Sequence, residues 1–160
     1  MTEPARVRPA AVNEQKRQSM ARQRSRDTGP ELAIRTRLHA LGYRYRVDHR
    51  PLPAVRTRGD LVFTRARLVV FVDGCFWHQC PQHRTSPRNN SAWWAAKLAA
   101  NVERDRATDQ RLADAGFRVV RIWEHESPDE AVAMIVRALG ATAAPDPPRR
   151  ASPADALPPP

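Results

Sequence analysis

Leu68-Val69-Val70-Phe71-Val72 is the longest unbroken run of large apolar residues in the chain, and Asp73 ends it. A bilayer span needs roughly 20 such residues, so the run has the length of a strand and no membrane anchor is expected. Asp60 to Phe63 makes a second short apolar strand, separated from the first by the polar Thr64-Arg65-Ala66-Arg67. A hairpin is the economical reading, and the other elements must be arranged around it. Upstream, Thr28-Gly29-Pro30-Glu31 predicts a helix start, with Thr28 as N-cap, Pro30 in the first turn and Glu31 at the capping-box position. That helix runs from about 30 to 41, with Leu32, Leu38 and Leu41 as its apolar side and Gly42 as its stop. Tyr43 to Val47 then alternates with the period of a half-buried strand until Pro51 and Pro53 break it. Downstream, Ser91 caps a second helix in which Trp94, Leu98, Val102 and Leu112 recur as far as Gly116. Phe117 to Trp123 is a β-rich run, and Ser127-Pro128-Asp129-Glu130 opens a last helix that carries Val132, Ile135, Val136 and Leu139 to Gly140. The order α, three strands, α, strand, α predicts an α/β fold: a mixed four-stranded sheet flanked by helices.

The core so defined occupies residues 20–140 of 160, an ordinary size for one domain. Residues 1–19 are polar and charged without an apolar period and read as a flexible basic arm. Residues 141–160 hold seven of the 15 prolines and read as a disordered Pro-rich tail. Met1 to Gln18 has no apolar h-region, so the cytoplasm is the expected location. Lys and Arg number 27 against 17 Asp and Glu, a formal net charge of +10 carried almost wholly by arginine. A polyanion is the default partner of such a chain.

A turn centred between Ala66 and Arg67 places Asp60 opposite Asp73. Cross-strand neighbours sit about 4.5 to 5.5 Å apart at Cβ, close enough for two carboxylates to share a divalent cation, and oxygen ligands suit Mg²⁺. The alternative is that both are ordinary polar residues at strand ends, and that Glu31 does no more than cap its helix. Gly74 to His83 concentrates both cysteines and two of the five histidines, while His125 follows the strand that ends at Trp123. Cys75, Cys80, His83 and His125 make a Cys₂His₂ set for structural zinc, drawn from two loops. A rival set replaces His125 with His78 and takes all four ligands from one cramped turn; unliganded buried cysteines with surface histidines are the third reading. A disulfide across so short a loop is not expected in a reducing compartment. Phe76 and Trp77 are adjacent, as are Trp93 and Trp94, and neighbours point different ways, so the four are not all core. Aromatic side chains beside arginines can wedge between base pairs.

The string VDGCFWHQCPQH, followed by WWAAKLAANVERDRATDQRLADAGFRVVRIWEHE, resembles the very short patch repair endonuclease family. The likeness spans roughly Ser19 to Leu139 and rests above all on GCFWH, the NxERD element and the WEH ending. It implies a restriction-endonuclease-like fold with a structural zinc site. It also implies an enzyme that nicks DNA beside the thymine of a T:G mismatch, the lesion left when 5-methylcytosine deaminates. In that resemblance Asp60 holds Mg²⁺ with a backbone carbonyl near Val72, His78 works at the scissile phosphate, and Glu31 and Asp105 contribute to the active site. Asp73, where some members carry histidine, stands as a ligand or a hydrogen-bonding partner. Cys75, Cys80, His83 and His125 would hold the zinc. Phe76, Trp77 and Trp94 match aromatics that wedge into the duplex, and Met20 matches a residue that enters from the opposite groove. Arg22, Arg24, Arg26 and Arg104 or Arg106 are expected on the DNA backbone.

Two departures stand out. Gly59-Asp60 replaces the Pro-Asp of many related nucleases, and Cys75 stands where they place a lysine, leaving more of the proton handling to His78. Expected partners are double-stranded DNA with a T:G mismatch and, as candidates, mismatch-repair proteins, with the protein acting as a nucleoid-associated monomer away from membranes. A restriction-type nuclease on matched duplex and a non-catalytic zinc-stabilised DNA-binding module are the alternatives.

Overall fold

The computed structural model describes residues 27–141. The expected basic arm, the contacts of Met20, Arg22, Arg24 and Arg26, and the Pro-rich tail beyond Ala141 lie outside the described residues. The elements are α1 (Gly29–Ala40), β1 (Arg46–His49), β2 (Gly59–Phe63), β3 (Leu68–Asp73), α2 (Ser91–Asp114), β4 (Arg118–Trp123) and α3 (Pro128–Gly140), in the predicted order. They build one four-stranded sheet ordered β1-β2-β3-β4, antiparallel through β3 and parallel between β3 and β4. Parallel neighbours need a crossover, and α2 supplies it. Leu61, Phe63, Leu68, Val70 and Ile122 pack against Ile34 and Leu38 of α1 and Val132 and Ile135 of α3. Val62, Val69 and Phe71 pack against Leu112 of α2 and against Phe117. Because β3 is covered on both faces, its sequence is a continuous apolar run rather than an alternating one. No helix among the described residues is long and apolar enough to cross a membrane.

The hairpin register differs from the expected one. Leu61 pairs with Val70, Val62 with Val69 and Phe63 with Leu68, so all of Thr64 to Arg67 forms the turn, which Arg67 closes at φ 49°. Continued to the end of β2, this register sets Asp60 across from Phe71, and Asp73 lies two residues further along. A slip by an even number keeps the inside and outside alternation in phase, so the apolar pattern cannot detect it.

The face of α1 also differs. Ile34 and Leu38 are buried with Glu31, whereas Leu32 is 44% exposed and Leu41 62%. Residues 31, 34 and 38 share one helical stripe and Leu32 sits about 100° away from Glu31. Tyr43 and Tyr45 precede β1 and pack on the core, with the Tyr45 hydroxyl donating to the Arg35 carbonyl at 2.9 Å. Asn90, at φ 56°, rather than Ser91 precedes α2. Thr28 is the N-cap residue of α1, but no capping box forms there: Glu31 instead accepts from the Thr28 hydroxyl and the Asp27 N–H, both at 2.9 Å. The Ser127–Glu130 box forms in full.

Candidate active site and Cys/His cluster

Asp60 opens β2 beside the carboxyl end of β3, and its Oδ2 accepts the Val72 N–H at 2.7 Å. Burial, opposed by that hydrogen bond and reinforced by the Glu31, Asp73 and Asp48 carboxylates, pushes the Asp60 carboxyl up to about 6. A partly buried acid crowded by other carboxylates gains from a cation placed among them, so the donor chemistry fits a hard divalent ion. A Cβ on Gly59 would lie 2.5 Å from Val69 Cγ1 and 2.9 Å from Val62 Cγ2, which accounts for glycine before Asp60. Asp73 ends β3 in a buried position. Burial raises its carboxyl and Asp105 adds to the effect, while Arg121 and His78 oppose it.

His78 lies in the loop after β3, where its N–H donates to the Gly74 carbonyl at 3.1 Å. Its Nδ1 sits 2.6 Å from Asp105 Oδ2 on α2 and 3.6 Å from Asp73 Oδ1. A carboxylate on one ring nitrogen fixes the imidazole and leaves the other to act. Arg121 reaches into the same group from β4. Its Nη1 donates to both Asp73 oxygens at 2.9 and 2.8 Å, and its Nε and Nη2 donate to Asp109 at 2.8 to 3.2 Å. Burial alone would lower the Arg121 pKa, but Asp109 and Asp73 more than offset it and hold the guanidinium above its usual value.

At the same edge of the sheet, the candidate ligand atoms of Cys75, Cys80, His83 and His125 all lie within 4.8 Å of one another. Cys75 Sγ is 3.1 Å from His125 Nδ1, and Cys80 Sγ is 3.7 Å from His125 Nδ1 and 3.8 Å from His83 Nδ1. Bonds of 2.0 to 2.3 Å in a tetrahedron put ligand atoms roughly 3.5 Å apart, so both spacing and donor type fit a tetrahedral metal. His78 is turned to the aspartates, which speaks against the rival set. Both thiols are free and buried. Burial, and then the neighbouring Cys80 sulfur, push the Cys75 thiol up to about 11 in the metal-free protein.

Between the two cysteines the chain carries Phe76, Trp77 and His78. Phe76 and Trp77 meet edge-on at 5.0 Å, Trp94 of α2 lies 5.4 Å from Phe76 and 5.9 Å from Trp77, and Trp93 lies 4.9 Å from Trp94. All four rings are half-buried and form one cluster instead of diverging. Asn101, buried on α2, ties this loop down by donating to the Trp77 carbonyl at 3.2 Å.

Residues 11–84 match the family described as DNA mismatch endonuclease Vsr. The chain is 47% identical over 133 residues to the type II nicking enzyme V.NaeI of Lentzea aerocolonigenes, a stretch covering 82% of this chain and 80% of the relative. The chain belongs to the Vsr DNA mismatch endonuclease family. It is also 40% identical over 118 residues to the type II nicking enzyme V.XorIIP of Xanthomonas oryzae, covering 72% of this chain and 84% of that one. With the DNA mismatch endonuclease Vsr of Escherichia coli it shares 37% identity over 102 residues, covering 62% and 63% of the two chains. As a Vsr-family protein the chain is a DNA endonuclease, and that reading of the sequence stands.

The Vsr-family fold brings Glu31, Asp60, Asp73, His78 and Asp105 into one neighbourhood and gathers the four Cys and His residues beside it. It separates His78 from the Cys/His cluster and places Asp60 and Asp73 diagonally rather than face to face. Arg121 and Asp109 were not foreseen in the sequence. The signal available was a charged residue inside the otherwise apolar Val119-Val120-Arg121-Ile122 run.

Proposed function

We propose that this Vsr-family chain is a Mg²⁺-dependent endonuclease that nicks one strand of double-stranded DNA beside the thymine of a T:G mismatch. The observation that carries the reading is that α2 bears both Trp94 of the aromatic cluster and Asp105, the residue that orients His78. Their separation of eleven positions spans about 16 Å of helix. A base step opened by the aromatic cluster is therefore held at a fixed reach from the carboxylates.

Mg²⁺ held by Asp60 and the Val72 carbonyl would lower the pKa of a bound water and neutralise charge on the phosphate. Asp105 takes the Nδ1 side of His78, so Nε2 is the atom left to accept the water proton or to hydrogen-bond the phosphate. Glu31 and Asp73 set the negative field around Asp60. Phe76, Trp77 and Trp94 unstack the weakly paired step, and a mismatched pair resists this less than a matched one. Zinc on Cys75, Cys80, His83 and His125 would hold the loop that carries two of these aromatics and His78. Met20, Arg22, Arg24, Arg26 and the Arg104–Arg106 segment would grip the backbone, with affinity that falls as salt rises. The relatives named as nicking enzymes support action on one strand. A restriction-endonuclease-like fold, a monomer in the cytoplasm near the nucleoid, and contact with mismatch-repair proteins complete the reading.

A nicking assay on T:G and matched duplexes with Mg²⁺ tests it. The T:G duplex is expected to be nicked at least tenfold faster. Equal rates would favour a restriction-type nuclease, and binding without nicking would favour a non-catalytic module. In the same assay Asp105→Asn is expected to lower kcat by about 10- to 100-fold, the usual effect of losing an orienting carboxylate, with KM for DNA little changed. A normal kcat in that variant would remove Asp105 from the mechanism.

A further inference from the structure

Arg121 lies in an arginine-rich chain that acts on DNA, yet most of its donors are taken by carboxylates of the protein itself. Nη1 is committed to both oxygens of Asp73, Nε and Nη2 are committed to Asp109, and Nη2 also lies 3.8 Å from Asp105 Oδ1. The guanidinium lies over the Phe71 ring at 4.6 Å, and the Arg121 side chain is only 23% exposed. Its consequence falls on its partners. Asp73 and Asp105 are the two carboxylates that face His78 Nδ1, at 3.6 and 2.6 Å. Carboxylates this close repel one another, and a planar cation with several fixed donors can hold them in one arrangement where a point charge cannot. The same contact changes what Asp73 can bind. With both oxygens accepting from a guanidinium, Asp73 is a poor cation ligand, whereas Asp60 commits only Oδ2, to a neutral backbone N–H.

We propose that Arg121 is the positioning residue of the nuclease centre: it holds Asp73 and Asp105 against His78 and keeps Asp73 out of divalent-cation coordination. The proposal rests on the nuclease reading above and deepens it. Arg121 acts through its carboxylates and not on DNA, so its loss changes turnover and metal affinity together.

The experiment compares Arg121→Gln, Arg121→Lys, Asp73→Asn and the Arg121→Gln/Asp73→Asn double variant. Arg121→Gln is expected to lower kcat by about 10- to 100-fold, as misplacement of catalytic groups does, with KM for DNA within about twofold of wild type. Arg121→Lys should recover only part of the loss, since one ammonium cannot serve three carboxylates. The double variant should be no slower than the slower single variant, because the two changes remove one unit. Mn²⁺ binding to the DNA-free protein, followed by the paramagnetic resonance of free Mn²⁺, gives a second readout. Arg121→Gln should bind Mn²⁺ several-fold tighter, as Asp73 becomes available, and the double variant should lose that gain. Multiplying rate losses, a raised KM at normal kcat, or unchanged Mn²⁺ affinity in Arg121→Gln would each overturn the proposal. If Arg121→Gln does not fold, Asp109→Asn loosens the same guanidinium and should move both readouts in the same directions. A wild type that fails to nick T:G duplex would sink the mismatch-specific reading, and the Mn²⁺ comparison would still decide the role of Arg121.

Discussion

Asp60→Asn is expected to abolish Mg²⁺-supported nicking, by about a thousandfold or more, and at the same time to raise the melting temperature of the metal-free protein. The first effect follows from removing the charged oxygen that an Mg²⁺ site requires. The second follows from the position of the Asp60 carboxyl. Burial, with Glu31, Asp73 and Asp48 nearby, pushes it up to about 6, whereas an unfolded Asp titrates near 3.9. Between about pH 4 and pH 6 the native state therefore binds more protons than the unfolded state, and stability falls as pH rises through that window. Below about pH 4 both states hold the proton and the cost vanishes; above 6 the cost is fully present. Roughly two pH units correspond to an upper bound of about 3 kcal/mol, of which about 1 to 2 kcal/mol is a realistic gain for Asn at pH 7. Differential scanning calorimetry of the metal-free protein should show the variant melting a few degrees higher at pH 7 and near wild type at pH 4. Normal nicking would remove Asp60 from the proposed metal site, and a lower melting temperature at pH 7 would show that its buried charge does not destabilise the metal-free fold.

The site is only partly readable in the sequence, because much of it is set by how the elements register and dock. The strand β3 could be read because burial on both faces removes polar residues from it, and the Ser127–Glu130 box because its signal is local. The hairpin register could not be read, since an even slip leaves the pattern intact and the turn depends on Arg67 taking φ 49°. On α1 the leucine spacing points to Leu32, Leu38 and Leu41 as the buried side, whereas the face against the sheet is set by Ile34 and Leu38 and also buries Glu31. Local sequence marks Glu31 only as a cap candidate, and its proximity to Asp60 emerges when α1 docks on the sheet. His78 and the two cysteines stand in one string and could be read at once. Arg121 was hidden because its partners lie 48 and 12 residues away, and because one arginine among 27 basic residues carries no signal.

Removal of metal from the Cys/His cluster is expected to have the largest effect on stability. Cys75 and Cys80 lie in the loop after β3, and His125 follows β4, so a metal shared among them joins the ends of two parallel strands. The loop it would close carries Phe76, Trp77 and His78, and its other ties to the rest of the fold are side-chain contacts and single hydrogen bonds: His78 to Asp105, the two aromatics against Trp94, the Asn101 donation to the Trp77 carbonyl, and the bond from the Cys75 N–H to Glu124 Oε1 at 2.7 Å. A structural zinc contributes several kcal/mol to folding where the site is not preformed in the unfolded chain. Cys80→Ser should therefore lose bound zinc and melt about 10 °C or more below wild type. Zinc content measured per chain should fall from one to none. Affinity should also weaken as pH falls, because Cys75, held near 11 without metal, must give up its proton to bind. His78→Ala separates the two candidate ligand sets: with His78 turned to Asp105 it should keep its zinc and its melting temperature while nicking collapses. Zinc lost from His78→Ala would move that residue into the ligand set, and unchanged zinc content and melting in Cys80→Ser would remove the metal from this cluster altogether.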